Sequence, residues 1–517
     1  MTSEPYCRTI RPQWFVRRLS SRHDPAKERA METISESMKS RRHFLKLLSA
    51  GAASLSLWPG IGPHITHADA QAVPQGKPNV LMFVLDDMND WIGCLGGHPD
   101  VKTPNIDRLA QRGVLFRNAQ CSSPICSPSR ASFFTGIRPS TSGIYGNSQA
   151  FRKIMPNAVT LPQHFIAHGY RSMGCGKLFH FIKTDSRSWH EFFPSRSMER
   201  PFDPVPPNAP LSGLPDVNQF DWGPIDIVDE ELGDGKLARW AADALRRRYD
   251  RPFFLGVGLL RPHVPLYVPR KYFDMYPPES ITLPTVKAND LDDVPPTGVS
   301  WAKPERHQLI VEHDQWRKAV AGYLASVSFV DAQVGWVLDA LDESPYVNNT
   351  VVVLWGDNGW HLGEKLHWTK LTLWEESCRV PLIIALPGLT PPGRKCAKPV
   401  STMDVYPTLN ELCDLTPKPE LECRSILELL RNPQSDTWDG PPALSTYMPG
   451  NHSLRDERYR YIRYNDGTEE LYDLKADPME WNNLLAGGGT GPAGVRDRLS
   501  AFLPKFNAPQ APLVHRF

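Results

Sequence analysis

Four runs of apolar residues constrain this chain more than any other feature: "NVLMFVLDD" from Asn79, "PFFLGVGLLRPH" from Pro252, "TVVVLWGDN" from Thr350 and "VPLIIALPG" from Val380. They are rich in Val, Ile, Leu and Phe and do not alternate with polar residues, which is the pattern of parallel strands buried on both faces of a sheet. Helical patterns lie between them. "NIDRLAQRG" carries Leu109 on a short amphipathic turn with Gly113 as its stop, and "GDGKLARWAADALRRRYD" is amphipathic throughout. The segment from Trp316 to Leu341 sets Tyr323, Val327, Val330, Val334 and Leu338 on one stripe. Strand and helix alternate, so the class is α/β, with a mainly parallel sheet sandwiched by helices. A chain of 517 residues, 41% of them hydrophobic, can bury a core of that kind in one large domain accompanied by a small one. The proline-rich stretch "PFDPVPPNAPLSGLPDV" reads as a long ordered surface loop.

The texture changes after about Leu430. "DERYRYIRYNDGTEELYDLK" alternates aromatic and charged residues around Asn465-Asp466-Gly467 and predicts an antiparallel hairpin. Residues 433–517 are therefore assigned to a smaller α+β subdomain carrying an antiparallel sheet, and residues 71–432 to the main domain. Residues 1–70 form an N-terminal extension. Within it "KSRRHFLKLLSAGAASLSLWPG" resembles a twin-arginine export signal, with Ala68-Asp69-Ala70 as a small-residue cleavage site and Met31 or Met38 as alternative starts. The expectation is an exported protein, periplasmic or extracellular. No other apolar run reads as a membrane span. The 58 basic and 57 acidic residues nearly balance, which leaves no bulk footprint for nucleic acid.

Three of the four runs end in polar groups: Asp86-Asp87, Arg261-Pro262-His263 and Asp357-Asn358. In an open α/β sheet, ligands bind in the crevice at the carboxyl ends of the strands. Adjacent carboxylates after an apolar strand either cap helices or hold a cation, and two such clusters in one sheet favour the cation. An all-oxygen set of Asp86, Asp87, Asp357 and Asn358 suits a hard ion, Ca²⁺ or Mg²⁺. "GYRSMGCGKLFH" offers Lys177 and His180, and "WHLGEKLHWTK" offers Lys370. With Arg130 and Arg138 they make a cationic cluster facing the metal, suited to a tetrahedral oxyanion ester. Cys126 stands four residues before Arg130 at a helix start. Locally it fits a disulfide partner, a thiolate nucleophile or the precursor of another group.

Cys126-Ser127-Pro128-Ser129-Arg130 with Thr135-Gly136 resembles the Cys-x-Pro-x-Arg…Thr-Gly signature of the type I sulfatases. "GYRSMGCGKLFH" is similar to their second signature, with Cys175 where a small aliphatic residue is usual. "TPNIDRLAQRGVLFRNAQC", "RPHVPL", "YLASVSFVDAQVGWVLDAL" and "GDNGWHLGEK" resemble the iduronate-2-sulfatase-like branch, in order from about Lys77 to Leu485. The resemblance implies an alkaline-phosphatase-like fold and hydrolysis of sulfate esters on a carbohydrate, including 2-O-sulfated uronic acids of a polysaccharide. It also implies that a formylglycine-generating enzyme oxidises Cys126 to Cα-formylglycine, whose hydrate attacks sulfur and then expels sulfate by collapsing to the aldehyde. One Ca²⁺ ion is implied on Asp86, Asp87, Asp357 and Asn358, in contact with the product of Cys126. Arg130 holds the formylglycine hydroxyl, and Lys177 and Lys370 bind sulfate oxygens. His263 or Lys370 protonates the leaving alkoxide, and His180 takes the proton that releases sulfate. Arg138, Trp360 and His361 are further candidates, facing the sugar. The iduronate-type pattern often has His after the third aspartate, where this chain has Asn358.

Two other readings stand beside this one: a phosphoester or phosphonate monoester hydrolase of the same superfamily, and a catalytically silent binder of sulfated glycans in which Cys126 stays a thiol. Among the remaining cysteines, Cys413 and Cys423 could close a short loop. Cys94, Cys121, Cys175, Cys378 and Cys396 read as small buried apolar residues.

Overall fold

β1 (Asn79–Asp86) is buried along its whole length and lies at the centre of an eight-stranded sheet. A computed structural model describes residues 76–180, 184–195, 197–215 and 219–513, so the segment that resembles an export signal and its expected cleavage site lie outside the described residues. The other strands are β2 (Val114–Phe116), β3 (Arg171–Gly176), β4 (Glu191–Phe193), β5 (Phe253–Pro262), β6 (Thr350–Gly356), β7 (Leu382–Ala385) and β8 (Arg394–Cys396). Their spatial order is β8-β2-β7-β6-β1-β5-β3-β4. β1 pairs in parallel with β5 (Val80 opposite Phe254) and with β6 (Val80 opposite Val351).

β1 shows why its run lacks alternation. Leu81, Phe83 and Leu85 enter one hydrophobic cluster, and Val80, Met82 and Val84 enter the other. Both faces are therefore covered. On the first lie α1 (Pro104–Ala110), α4 (Gly233–Arg246) and α5 (Trp316–Asp342), and on the second α2 (Cys126–Thr135), α3 (Leu161–Ala167) and α6 (Val405–Leu412). The stripe of Tyr323, Val327, Val330, Val334 and Leu338 on α5 is wholly buried. α5 is the one helix among the described residues long and apolar enough to cross a membrane, yet it is a core helix here. Its Asp331 also caps α1, accepting the backbone N–H groups of Asn105 at 3.1 Å and Ile106 at 2.7 Å.

One strand departs from expectation. β7, from "VPLIIALPG", pairs antiparallel with both β6 and β2. A run buried on both faces has the same composition in either direction. Here the chain leaves β6 at the carboxyl edge, stays at that end through residues 357–381, and returns along the sheet without a crossover.

The Asn465-Asp466-Gly467 hairpin is formed by β11 (Tyr459–Arg463) and β12 (Glu469–Asp473), which extend an antiparallel sheet with β9 (Ala443–Thr446) and β10 (His452–Arg455). Arg460 of β11 is fully buried and ties this sheet to the large one's loops. It donates to Gln120 Oε1 at 3.0 Å and to the Leu373 carbonyl at 3.1 Å, and pairs with Glu375 and with Glu480 at 2.7 Å. Arg460→Met should lower stability by about 3–5 kcal/mol, because it leaves the buried Glu480 carboxylate without its cation and takes one of three cations from Glu375, which keeps Arg455 at 3.5 Å and Arg379 at 4.0 Å. Guanidinium unfolding curves measure this directly, and a loss below 1 kcal/mol (roughly the worth of a surface pair) would refute the assignment.

Candidate active site

The polar ends of β1, β5 and β6 converge beside the first turn of α2. Between Leu85 and Asp86 the register of β1 against β5 slips, and Asp87 adopts a left-handed φ of 60°. An interruption of that kind re-aims side chains at a sheet edge. It is held in place: the Asp87 N–H donates to Asp357 Oδ1 at 3.0 Å, and the Asp87 carbonyl accepts from the Tyr323 hydroxyl at 2.8 Å.

α2 brings the second set of groups. Cys126 opens the helix, all ten of whose residues are buried; Ile125 ahead of it supplies no side-chain cap, and the Ser127 N–H donates to Asn147 Oδ1 at 2.9 Å. Four residues along the same face, Arg130 donates from Nε to Asp357 Oδ2 at 2.7 Å, sets Nη2 3.3 Å from Asp86 Oδ1, and donates from Nη1 to the Lys177 carbonyl. Burial by itself would lower the guanidinium's pKa, but Asp357 and Asp86 outweigh it and hold Arg130 charged. Lys177 follows β3 through a close backbone approach. A Cβ on Gly176 would lie 2.0 Å from the Gly258 carbonyl and one on Gly258 2.2 Å from the Lys177 carbonyl, so both positions need glycine. Lys177 then pairs with Asp86, and Lys370 pairs with Asp87 while donating to Cys126 Sγ at 2.9 Å. Both ammonium groups stay charged, because Asp86 and Asp87 respectively outweigh the burial that opposes it. Burial, then Asp86, pushes the Cys126 thiol up, so it rests protonated.

The histidines behave differently. His263 Nδ1 lies 2.6 Å from the Val264 carbonyl, which can only accept, so Nδ1 carries the proton. Nε2 is then a lone pair, 3.8 Å from Asp87 Oδ2, on a side chain 22% exposed. Burial pushes its pKa down to about 4 against the pull of Asp87 and Asp86. His180 is likewise held well below the usual range, by burial and then by Lys177.

The oxygens of this cluster fit a hard cation. Asp86, Asp87 and Asp357 each offer a carboxylate oxygen within 4.8 Å of the others, and Cys126 and His263 come within the same reach of Asp86. Asp86 Oδ1, Asp87 Oδ2 and Asn358 Oδ1 are buried without a hydrogen-bond partner. Asn358 presents that oxygen because its amide nitrogen donates to Asp87 at 2.8 Å and to the Gly359 carbonyl at 2.9 Å. Orphaned buried oxygens cost stability unless a ligand takes them up, and an all-oxygen set suits Ca²⁺ or Mg²⁺.

Three of the sequence candidates lie elsewhere or play another part. Arg138 follows the far end of α2, about 15 Å of helix away from Cys126, and lines a separate cavity of about 220 Å³ with Asp404, Cys423 and Arg424. His361 is fully buried, with its ring nitrogens on the Glu364 carbonyl and Thr372 Oγ1, both at 3.1 Å, so it is a satisfied core residue. Trp360 is buried too. Its ring lies 5.6 Å beneath Lys370 Nζ, where it supports the ammonium and does not present a face for a sugar. Cys413 and Cys423 are both thiols, the first hydrogen-bonded to Tyr170 and the second at the Arg138 cavity.

Two residues join the site that sequence reasoning did not single out for it. Tyr323 was legible only as part of an apolar stripe, although a buried tyrosine hydroxyl needs a partner. Glu199 lies in the loop after β4 with no local motif to mark it, and the charges of Arg130 and Lys177 act on its buried carboxyl.

Comparison with known proteins places this geometry. Residues 78–415 match the sulfatase family model, and residues 363–501 match the C-terminal model of N-sulphoglucosamine sulphohydrolase. A sulfatase of Formosa agariphila is 39% identical over 453 residues, covering 84% of this chain and 87% of the relative. Human iduronate 2-sulfatase is 31% identical over 466 residues, covering 78% and 80%. Among solved structures, a phosphonate monoester hydrolase from Silicibacter pomeroyi superposes with a TM-score of 0.67 at 22% identity, covering 82% of this chain and 94% of that one. The architecture is thus the alkaline-phosphatase-like one.

Proposed function

This chain belongs to the sulfatase family and is a sulfuric ester hydrolase, and on that premise we propose that it removes sulfate from a sulfated carbohydrate at the cluster around Cys126. The observation that carries the reading is a single one: Lys370 bridges Asp87 and Cys126, beside three buried oxygens that accept no hydrogen bond. The substrate class follows from the relatives, and likeness to iduronate 2-sulfatase favours a 2-O-sulfated uronic acid.

In this reading Cys126 is the precursor of formylglycine, whose hydrated form supplies the nucleophilic oxygen and a second hydroxyl for sulfate release. Asp86, Asp87, Asp357 and Asn358 would hold one Ca²⁺ ion, which when bound supplies positive charge for the nucleophile and a sulfate oxygen. The chain's own cations do the rest. Lys177 and Lys370 bind and orient the sulfate oxygens, and Arg130 steadies the nucleophile through its grip on Asp357. Of the two candidates for protonating the leaving alkoxide, Lys370 is held charged while His263 is held neutral, which favours Lys370 for the donation. His180, also held neutral, accepts the proton that releases sulfate. Export through the twin-arginine signal, and maturation by a formylglycine-generating enzyme, belong to the same proposal.

Turnover of an aryl sulfate and an aryl phosphate by the matured protein tests the reaction class. The sulfate should be preferred by about a hundredfold or more, as expected when buried cations are arranged for one oxyanion. A strong preference for phosphate would favour the phosphonate monoester hydrolase reading. Mass spectrometry of the peptide containing residue 126, from a host with the maturing enzyme, should show formylglycine. Unmodified cysteine alone would favour a silent glycan binder.

A further inference from the structure

The groups around Cys126 contain a second set of metal-ligating atoms besides the oxygens. Cys126 Sγ, a ring nitrogen of His263 and a carboxylate oxygen of Asp86 all lie within 4.8 Å of one another. The ring is already oriented for this set. Its Nδ1 proton is engaged by the Val264 carbonyl at 2.6 Å, which leaves Nε2 as a lone pair on the cluster side, 3.8 Å from Asp87 Oδ2. A backbone carbonyl on the far nitrogen is the outer support that metal-bound histidines need. Sγ lies 3.9 Å from Asp87 Oδ1. Asp86 Oδ1 is fully buried and accepts no hydrogen bond, with Arg130 Nη2 3.3 Å away.

Sulfur and imidazole nitrogen select a different ion from the one that suits oxygen alone. Zinc bonds of about 2.0–2.3 Å at tetrahedral angles hold ligand atoms about 3.3–3.8 Å apart, so the three groups need little movement to close on that ion. Three protein ligands leave a fourth position, and Asp87 stands beside both the sulfur and the ring. The all-oxygen set also uses Asp86, so the two sets are alternatives at one place. What separates them is residue 126, because only a cysteine there supplies the sulfur.

We propose that the chain binds Zn²⁺ through Cys126, His263 and Asp86 for as long as residue 126 is a cysteine, and that loss of the sulfur passes the site to a hard cation. The second half rests on the formylglycine reading, and the first half does not. Zinc takes the thiolate, so binding releases the Sγ proton to solvent without any transfer of electrons. The Lys370 ammonium, 2.9 Å from Sγ, steadies the anionic sulfur.

The test uses the full chain made in a host without the maturing enzyme, with Co²⁺ and Zn²⁺ as probes. Cobalt should bind at about one equivalent and show the sulfur-to-metal charge-transfer absorption of a thiolate ligand, with the strong visible bands of a four-coordinate ion. Zinc affinity, read by competition with a chromophoric chelator, should fall by about a hundredfold or more in Cys126→Ala and in His263→Ala, since even outer partners of a metal ligand are worth about ten- to a hundredfold. Circular dichroism checks that each variant folds, and the cobalt spectrum of the unsubstituted chain carries the test if one does not. Absence of the thiolate band, or zinc affinity unchanged in both variants, would overturn the site. In the matured protein the band should vanish and zinc affinity should fall by a similar factor, while Ca²⁺ still binds. A matured protein that keeps zinc at full affinity would overturn the handover. Residue 126 found unmodified in every host would remove the formylglycine reading and the handover with it, and the zinc site would stand on its own spectrum.

Discussion

Asp357→Ala should lose bound metal and turnover together, whereas Lys370→Ala should keep its metal and lose turnover by about a hundred- to a thousandfold. The two residues sit in one cluster but do different work. Asp357 joins Arg130 to the carboxylate set, accepting from Arg130 Nε at 2.7 Å and from the Asp87 N–H at 3.0 Å. Without it, Asp87 loses one of the two contacts that hold its left-handed backbone, and Arg130 loses its best partner. Within the set Lys370 bonds only to Asp87, and its removal leaves the four ligand side chains in place. Elemental analysis of the purified variants, alongside assay on an aryl sulfate, separates the cases. Full metal content in Asp357→Ala would show that the ligand set is wrong. A pH dependence follows from the same residue. Burial raises the Asp357 carboxyl to about 6, so cation binding must displace its proton, and affinity should weaken as pH falls through that value.

Cys126→Ala should abolish turnover, by at least about a thousandfold, while leaving the binding of a sulfated ligand largely intact. The cations that would hold the sulfate come from other elements and keep their carboxylate partners when the thiol is removed. Cys126→Ser should behave in a more telling way. A serine hydroxyl at the same helix start can attack sulfur once, but it has no second hydroxyl through which to expel sulfate. The expected result is a burst of about one equivalent of product, followed by a halt, with residue 126 carrying the added mass of SO3 as a serine sulfate ester. Steady turnover by Cys126→Ser comparable to that of the matured protein would refute the role assigned to formylglycine.

Much of this site was legible before folding because its chemistry is local. Asp86-Asp87, Asp357-Asn358 and the Cys126-to-Arg130 spacing are each contiguous, and strand ends in an α/β sheet deliver their residues to one edge. Arg138 shows the limit. It joined the cationic list by nearness in sequence, yet α2 carries it to the opposite end of a helix. His361 shows another. Between Trp360 and Leu362 it looks available, but Glu364 and Thr372 occupy both its nitrogens. Glu199 shows the converse, since nothing in "SMERPF" announces a carboxyl that the fold buries within electrostatic reach of Arg130 and Lys177.

The amino-acid sequence by itself determined the α/β class, the covered faces of β1, the C-terminal hairpin and the identity of the groups at three strand ends. Apolar patterning and short motifs act over a few residues, so they can be read there. Tertiary structure alone decided that β7 runs antiparallel, that Tyr323 holds Asp87 and that Glu199 is buried. Those outcomes depend on contacts between residues distant in the chain, whose direction and charge balance no single segment contains.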